Sequence, residues 1–307
     1  MVGARDTLAG VRRAPAEGLL LATVLFWSFN FTALRYGITH GFAPLAYAPV
    51  RWALAGVALA ALARLRGHSL RVGRRDLAIV AAASVAGIAV NQVAFVYSLR
   101  LSSASTVALV FGTLPIFISL VAQLSGIERL HLRHWVATGV SFAGVVLVAL
   151  GAPGGLSANA WGILLALVTT STFAVYSVAI APVVRRNSPL AVNAISALIG
   201  AAMLGVVCST VLARESWGAI GPLAWGALLY SSLVSIVLGN VFWFTAIDRV
   251  GPARSSLFAN MQPFLGALFA VLVLSERLGG GQLVGGGVIA IGIALGRRTP
   301  LTTPPSE

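Results

Sequence analysis

The chain has no lysine, a single cysteine and eight acidic residues among 307. Each shortage excludes something. Without lysine there is no Walker motif to cradle a nucleotide, so ATP-driven work by this chain alone is excluded. One cysteine, Cys208, supports neither a disulfide framework nor a zinc site. Charged residues of all kinds make up 9% of the sequence, against roughly 25% in ordinary soluble domains. Hydrophobic residues make up 58%, with 33 glycines besides. So few polar groups cannot cover that much apolar surface in water. A soluble enzyme and a disordered chain are both excluded, and a membrane protein remains.

Ten apolar segments fit the length. A bilayer crossing needs roughly 20 residues, so ten use about 200. They fall near Gly18–Tyr36, Pro44–Ala63, Leu77–Leu99, Ala104–Leu124, His134–Ala152, Trp161–Val183, Leu190–Leu212, Leu223–Ile247, Pro252–Leu274 and Leu278–Gly296. A cleavable signal peptide is the rival for the first segment, but the run is too long for one. All 21 basic residues are arginine, which gives the net charge of +13. With the N-terminus inside, sixteen arginines lie on inner segments, four on outer segments, and Arg51 within a span. That bias predicts a multi-pass protein with both termini cytoplasmic, and the absence of lysine, a mark of a GC-rich bacterial genome, points to an inner membrane. Charge placed this way implies no nucleic-acid partner; the partners expected are the bilayer and a small-molecule substrate.

A repeat emerges when the sequence is shifted by 148 residues. Pro115 falls on Pro263, Glu128-Arg129-Leu130 on Glu276-Arg277-Leu278, and Gly139 and Gly144 on Gly287 and Gly292. Over residues 91–147, 14 of 57 positions are identical without a gap. The halves are residues 1–152 and 153–307. Each holds five spans, an odd number, so the second half enters the membrane inverted. The expected fold is all-α and polytopic, with ten transmembrane helices in two inverted five-helix repeats around a central cavity. Inverted repeats suit a secondary transporter with its site near the midplane.

Several motifs resemble one family. They are Phe26-Trp27-Ser28-Phe29-Asn30-Phe31, Pro49-Val50-Arg51-Trp52, Phe95-Val96-Tyr97-Ser98-Leu99, Leu114-Pro115 and Ser125-Gly126-Ile127-Glu128-Arg129-Leu130. The second half adds Phe242-Trp243-Phe244-Thr245-Ala246, Gln262-Pro263 and Ser275-Glu276-Arg277-Leu278. In this order they resemble the EamA-type ten-helix permeases of the drug/metabolite transporter superfamily. The resemblance implies a ten-helix basket and movement of amino acids or other small metabolites. Ser28 stands where a glycine commonly follows the tryptophan, and Phe173-Ala174 where a tryptophan is frequent.

In lipid a polar side chain is costly unless it faces protein or water. The polar and aromatic residues deep in spans are therefore the candidate substrate site: Trp27, Asn30, Arg51, Asn91, Tyr97, Tyr176, Asn240, Trp243, Asn260 and Gln262. Gln92 and Gln123 are further buried polar positions. Arg51 lies seven residues past Pro44, about 10 Å into its span. Its guanidinium either forks a carboxylate or phosphate or ties helices through backbone carbonyls. Each asparagine either touches substrate or bonds a neighbouring helix. Pro115 and Pro263 remove backbone donors in mid-span and are the expected hinges. Gly281, Gly285, Gly292 and Gly296 form small-xxx-small pairs in the last span, suited to close packing within the chain or in a homodimer.

No acidic residue lies deep in any span. This argues against a cation exporter and against proton coupling through a buried carboxylate. A neutral or anionic solute fits better. Amino-acid export leads, with uptake or carriage of drugs and other metabolites as alternatives and a channel more remote. An enzyme is not expected. His40, His68, His131 and His134 lie in loops or at span ends, and no acid or cysteine completes a site. No cofactor and no metal are expected.

Overall fold

The computed structural model describes residues 15–126, 132–151, 155–250, 258 and 261–297. Among them every regular element is helical. The helices are α1 (Ala16–Thr39), α2 (Pro44–Leu65), α3 (Arg74–Leu101), α4 (Ala104–Phe111), α5 (Leu114–Leu124), α6 (Leu132–Gly151) and α7 (Gly155–Arg186). After them come α8 (Pro189–Val207), the short α9 (Ser209–Arg214), α10 (Pro222–Val250), α11 (Gln262–Leu274) and α12 (Gly280–Arg297). Both α3 and α10 contain a π-helical stretch, Val85–Val90 in one and Tyr230–Leu238 in the other.

Proline and glycine punctuate these helices as local chemistry dictates. Pro44, Pro115, Pro189, Pro222 and Pro263 all sit in the first turn of a helix, where the missing N–H has no partner to lose. Gly41, Gly67 and Gly126 adopt positive φ in the connections. The bend expected at Pro115 is present, made by a break between two helices rather than within one continuous helix. The fourth apolar segment ends its first helix at Phe111, turns at Gly112–Thr113 and restarts at Leu114, with a bend of 43°. Pro263 likewise opens α11.

Six helices are long and apolar enough to cross a membrane, or seven if the bent α4–α5 pair counts as one. The chain is thus a multi-pass membrane protein. Three further apolar helices, Trp135–Gly151, Gln262–Leu274 and Gly280–Gly292, are shorter than a crossing. The ten full-length spans expected are therefore not all present as such: α6 and α11 each adjoin residues outside the described set, and α4–α5 is broken.

Packing runs between the halves. α6 lies on α12, α2 on α8, α3 on α7, and α1 on both α10 and α11, while α4 lies on α11 and α5 on α7. Numbered as spans, these pairs are 5 with 10, 2 with 7, 3 with 6, 1 with 8 and 9, 4 with 9, and 4 with 6. Exchanging each span for the one five places away returns the same set. The contact pattern therefore has a twofold relation that links the two repeats.

Glycine brings α6 and α12 together. A Cβ on Gly285 would meet the Val148 amide nitrogen at 2.5 Å and the Gly144 carbonyl at 2.6 Å. One on Gly151 would meet the Gly281 Cα at 2.5 Å, and one on Gly292 the Ala137 carbonyl at 2.9 Å. Gly281, Gly285 and Gly292 are therefore used within the chain, as small-xxx-small pairs allow. The side chain of Gln282 ties α12 to α4 as well, donating to Thr106 Oγ1 at 2.9 Å.

Carboxylates tie the helix ends across the halves. Asp76, in the first turn of α3, accepts from Arg186 Nη2 at 2.6 Å and Asn187 Nδ2 at 2.7 Å. Glu215, ahead of α10, accepts from the Ala43 amide at the start of α2 at 3.1 Å. Spans 3 and 8 are repeat-equivalent, and so are the turns before spans 7 and 2, so these ties form a related pair. Glu276 caps α4: its two oxygens take the Ala104 and Ser105 amides at 2.9 and 3.0 Å. The first four N–H groups of a helix lack intrahelical acceptors, and Ser103 supplies another by accepting from the Thr106 amide at 3.1 Å.

Candidate functional site

The side chain of Arg51 is 4% exposed in the middle of α2. A buried guanidinium needs acceptors. Its Nη1 donates to Gln92 Oε1 of α3 at 3.1 Å. Gln92 Nε2 donates in turn to Asn91 Oδ1 at 2.9 Å. Asn91 Nδ2 then donates to the Thr169 carbonyl of α7 at 2.7 Å and to Thr172 Oγ1 at 3.2 Å. The chain of amides thus carries Arg51 from α2 through α3 into the second repeat. The Arg51 Nε has no partner among the described residues.

A second branch leaves Arg51 in the other direction. Tyr47 lies one helical turn earlier on the same face of α2. Its buried phenol is within electrostatic reach of Arg51 and lies beside Ser231. Ser231 donates to Asn30 Oδ1 of α1. The result is a seam of buried polar groups, Asn91–Gln92–Arg51–Tyr47–Ser231–Asn30, hydrogen-bonded from Arg51 to Asn91 and from Ser231 to Asn30, with the Tyr47 hydroxyl between them unpartnered among the described residues. It draws on α1, α2 and α3 of the first repeat and on α7 and α10 of the second. Around it the buried polar groups are mainly serine and threonine hydroxyls, and Arg51 is the buried charge among the described residues.

Trp27 and Trp243 meet beside this seam, with ring centroids 5.2 Å apart at 48°. Trp27 Nε1 donates to the Ser235 carbonyl at 3.0 Å, inside the π stretch of α10. That stretch follows the longer i→i+5 pattern and moves carbonyls off the α-helical ladder. Gln262 contributes its backbone, since its carbonyl accepts from Ser28 Oγ at 3.2 Å. The aromatic pair, Asn30 and the start of α11 form one neighbourhood.

The remaining expected site residues divide as follows. Asn240 is half-buried just after the π stretch. Tyr176 is half-buried and packs on Gly87, where a Cβ would meet its own Cβ at 2.2 Å. Tyr97 is 36% exposed and lies apart from the seam. Asn260 is outside the described residues. Tyr47, Ser231, Thr169 and Thr172 belong to the seam without having been singled out. Tyr47 could have been found from its spacing of four from Arg51. The hydroxyls had no such signal.

The ionisable content of the seam is one cation and no carboxylate. Such a site favours a group able to accept hydrogen bonds from a guanidinium, above all an oxyanion. No group of three His, Cys, Asp or Glu suited to a metal occurs among the described residues.

Comparison with known proteins agrees with this architecture. The profile of the EamA-like transporter family matches residues 14–150 and again residues 160–296. The inner membrane transporter YedA of Escherichia coli K12 is 29% identical over 287 residues, covering 92% of this chain and 90% of YedA. A probable terminal-alkyne amino-acid exporter of Streptantibioticus cattleyicolor is 27% identical over 305 residues, covering 96% and 99%. A transporter of Archaeoglobus fulgidus is 24% identical over 275 residues, covering 90% and 96%. A crystal structure with 22% identity superposes with a TM-score of 0.65, covering 91% of this chain and 95% of the other, and shares the fold.

Proposed function

The chain belongs to the EamA-like transporter family, and from that premise we propose that it is a secondary carrier of a small neutral or anionic metabolite. It works by alternating access between its two repeats and exports amino acids or related compounds. The observation that carries this reading is the polar seam centred on Arg51, built from both repeats inside an apolar bundle. A carrier binds its cargo where the repeats meet, because that junction is remodelled when one repeat rocks against the other.

The topology is part of the same reading. The six long helices, the broken α4–α5 pair and the three shorter apolar helices amount to ten apolar segments. Five per repeat is odd, so the second repeat runs inverted and both termini are cytoplasmic, in keeping with the arginine distribution. The ties at Asp76 and Glu215 then fall on opposite faces, and each face closes through one of them.

Amino acids are favoured because Arg51 can fork a carboxylate while Asn30 and Asn91 offer neutral partners to the rest of a small solute. The name of the Streptantibioticus cattleyicolor relative supports the same class. The absence of an acidic residue within the spans argues against a cation as cargo. An inner bacterial membrane fits the absence of lysine and the YedA likeness.

The test is counterflow in proteoliposomes. One unlabelled amino acid at a time is loaded against its labelled form, with the wild type and Arg51→Ala side by side. Saturable exchange that Arg51→Ala abolishes in folded protein is expected. Exchange that persists unchanged in the variant removes Arg51 from the site. No exchange of any amino acid removes the amino-acid assignment, and organic acids, sugars and phosphates follow in the same assay.

A further inference from the structure

A second polar site lies at the end of the bundle beyond the seam, where Phe42, one of its lining residues, packs edge-on against Tyr47 at 5.2 Å. At the end of the bundle that carries the α1–α2 turn there is a cavity of about 600 Å³. Thr39, Ala43, Arg100, Thr210, Arg214 and Glu215 are among the residues that line it. It is open between the C-terminal end of α1, the start of α2, the end of α3 and the short α9.

The charges around it are not balanced. Arg100 and Arg214 are both exposed, and neither forms a hydrogen bond or ion pair among the described residues. Glu215 is the acidic residue of the lining, but its Oε2 is committed to the Ala43 amide at 3.1 Å. Arg35 stands behind Arg100, within electrostatic reach of it. The Arg35 guanidinium is held by the Leu99 and Ser102 carbonyls and lies within electrostatic reach of Glu276, so it is compensated and does not offer itself to the cavity. Two free guanidinium forks therefore face a cavity with a surplus of positive charge.

The cavity also sits at a defined level. Beneath it Phe42 packs edge-on against Trp225, 5.0 Å between centroids, and against Trp217 at 6.4 Å. Tryptophans clustered at helix ends mark the membrane–water boundary. Arginines at that depth meet water-borne solutes and phospholipid headgroups alike.

We propose that this cavity is an oxyanion docking site that takes one carboxylate or phosphate group between Arg100 and Arg214. Each fork presents parallel N–H donors to such a group. The hydroxyl groups of Thr39 and Thr210 line the same space. The site uses none of the seam's own polar groups, so it stands or falls apart from the identity of the transported solute.

Arginine-selective labelling tests it. The intact protein in neutral maltoside micelles is treated with phenylglyoxal, and labelling at each arginine is followed by mass spectrometry. Exposed Arg66 and Arg71 serve as internal references. Inorganic phosphate or acetate is added, with chloride at equal ionic strength as the control. A saturable, joint loss of labelling at Arg100 and Arg214, without loss at the references, is the expected result. Phosphatidylglycerol nanodiscs then identify the source. If they alone suppress labelling at both arginines, and free phosphate and acetate do not, the occupant is a lipid headgroup; protection by the free anions identifies a soluble one. The proposal is overturned if both arginines label like the references under every condition. Protection of one without the other overturns it equally, because the site requires both forks.

Discussion

Replacing Arg51 by methionine separates a binding role from a structural one. The wild-type guanidinium is 4% exposed and donates to Gln92 at 3.1 Å, while its Nε is unpartnered among the described residues. A buried cation costs several kcal/mol to desolvate, and replacing buried charge by apolar groups of similar volume is often neutral or stabilising. Arg51→Met removes that cost and keeps most of the stem. It strands the Gln92 carbonyl oxygen, a loss of about 1–3 kcal/mol. The two effects oppose, so Arg51→Met should stay within about 1–2 kcal/mol of wild type. Gln92→Leu does the reverse. It leaves the cation in place without its acceptor and should cost about 1.5–3 kcal/mol, the worth of a hydrogen bond to a charged group. Thermal unfolding of both variants in nanodiscs, followed by tryptophan fluorescence, gives the order. Counterflow on the same samples gives the function. The expected pattern is a stable, inactive Arg51→Met and a less stable Gln92→Leu. If Arg51→Met unfolds as early as Gln92→Leu or earlier, the arginine is a helix tie and the reasoning about an unmet cation is wrong.

Three further outcomes rest on packing and caps. Gly285→Val pushes backbone atoms at 2.5 and 2.6 Å and should cost at least about 1–3 kcal/mol. Gly287→Ala, where a Cβ meets open space, should gain up to about 1 kcal/mol in the same unfolding assay; equal effects would refute the α6–α12 contact. Glu276→Ala uncaps α4 and should cost about 0.5–2 kcal/mol, with faster amide exchange at Ala104 and Ser105. Ser275 ends α11 in the left-handed region at φ 55°, so Ser275→Gly should raise stability by about 1 kcal/mol and leave transport unaltered; a loss of stability would show that its side chain matters more than its backbone.

Most of the fold was legible because lipid leaves the chain few options. Apolar runs, prolines in first turns and arginines in the connections located helix boundaries such as Ala16–Thr39 and Pro44–Leu65 within a few residues. The cost of burying polarity pointed to Asn30, Arg51 and Asn91, and the seam joins all three. The same argument could not tell which way a residue faces. Tyr97 follows Asn91 by six positions, which is far from a whole number of turns at 3.6 residues each, and it projects away from the seam. Ser231 was hidden for a different reason: serine is ordinary in membrane helices, and only the packing of α10 on α1 gives it a role, whereas Tyr47 carried a signal in its spacing of four from Arg51. Pro115 marked the bend of its span, but not that one helix ends and another begins there, because a helix end inside an apolar segment has no compositional mark.

The π stretches of α3 and α10 occupy repeat-equivalent positions, since Val85–Val90 shifted by 148 falls on the last six residues of Tyr230–Leu238. A π turn holds one residue more than an α turn spanning the same height. Each of these spans therefore carries a spare residue, a slack that its neighbours lack. Losing one residue from Val85–Val90 lets the turn close into α-helix while Asn91 and Gln92 keep their bearing. Losing one from the regular helix Pro44–Leu65 swings everything beyond it by about 100° and carries Arg51 or its surroundings out of register. A deletion scan read by yield of folded protein should find α3 and α10 forgiving at their π stretches and α2 intolerant throughout; equal intolerance would mean the extra residue is needed where it stands. The chain then has two places inside the bilayer where its length can change by one residue, one in each repeat.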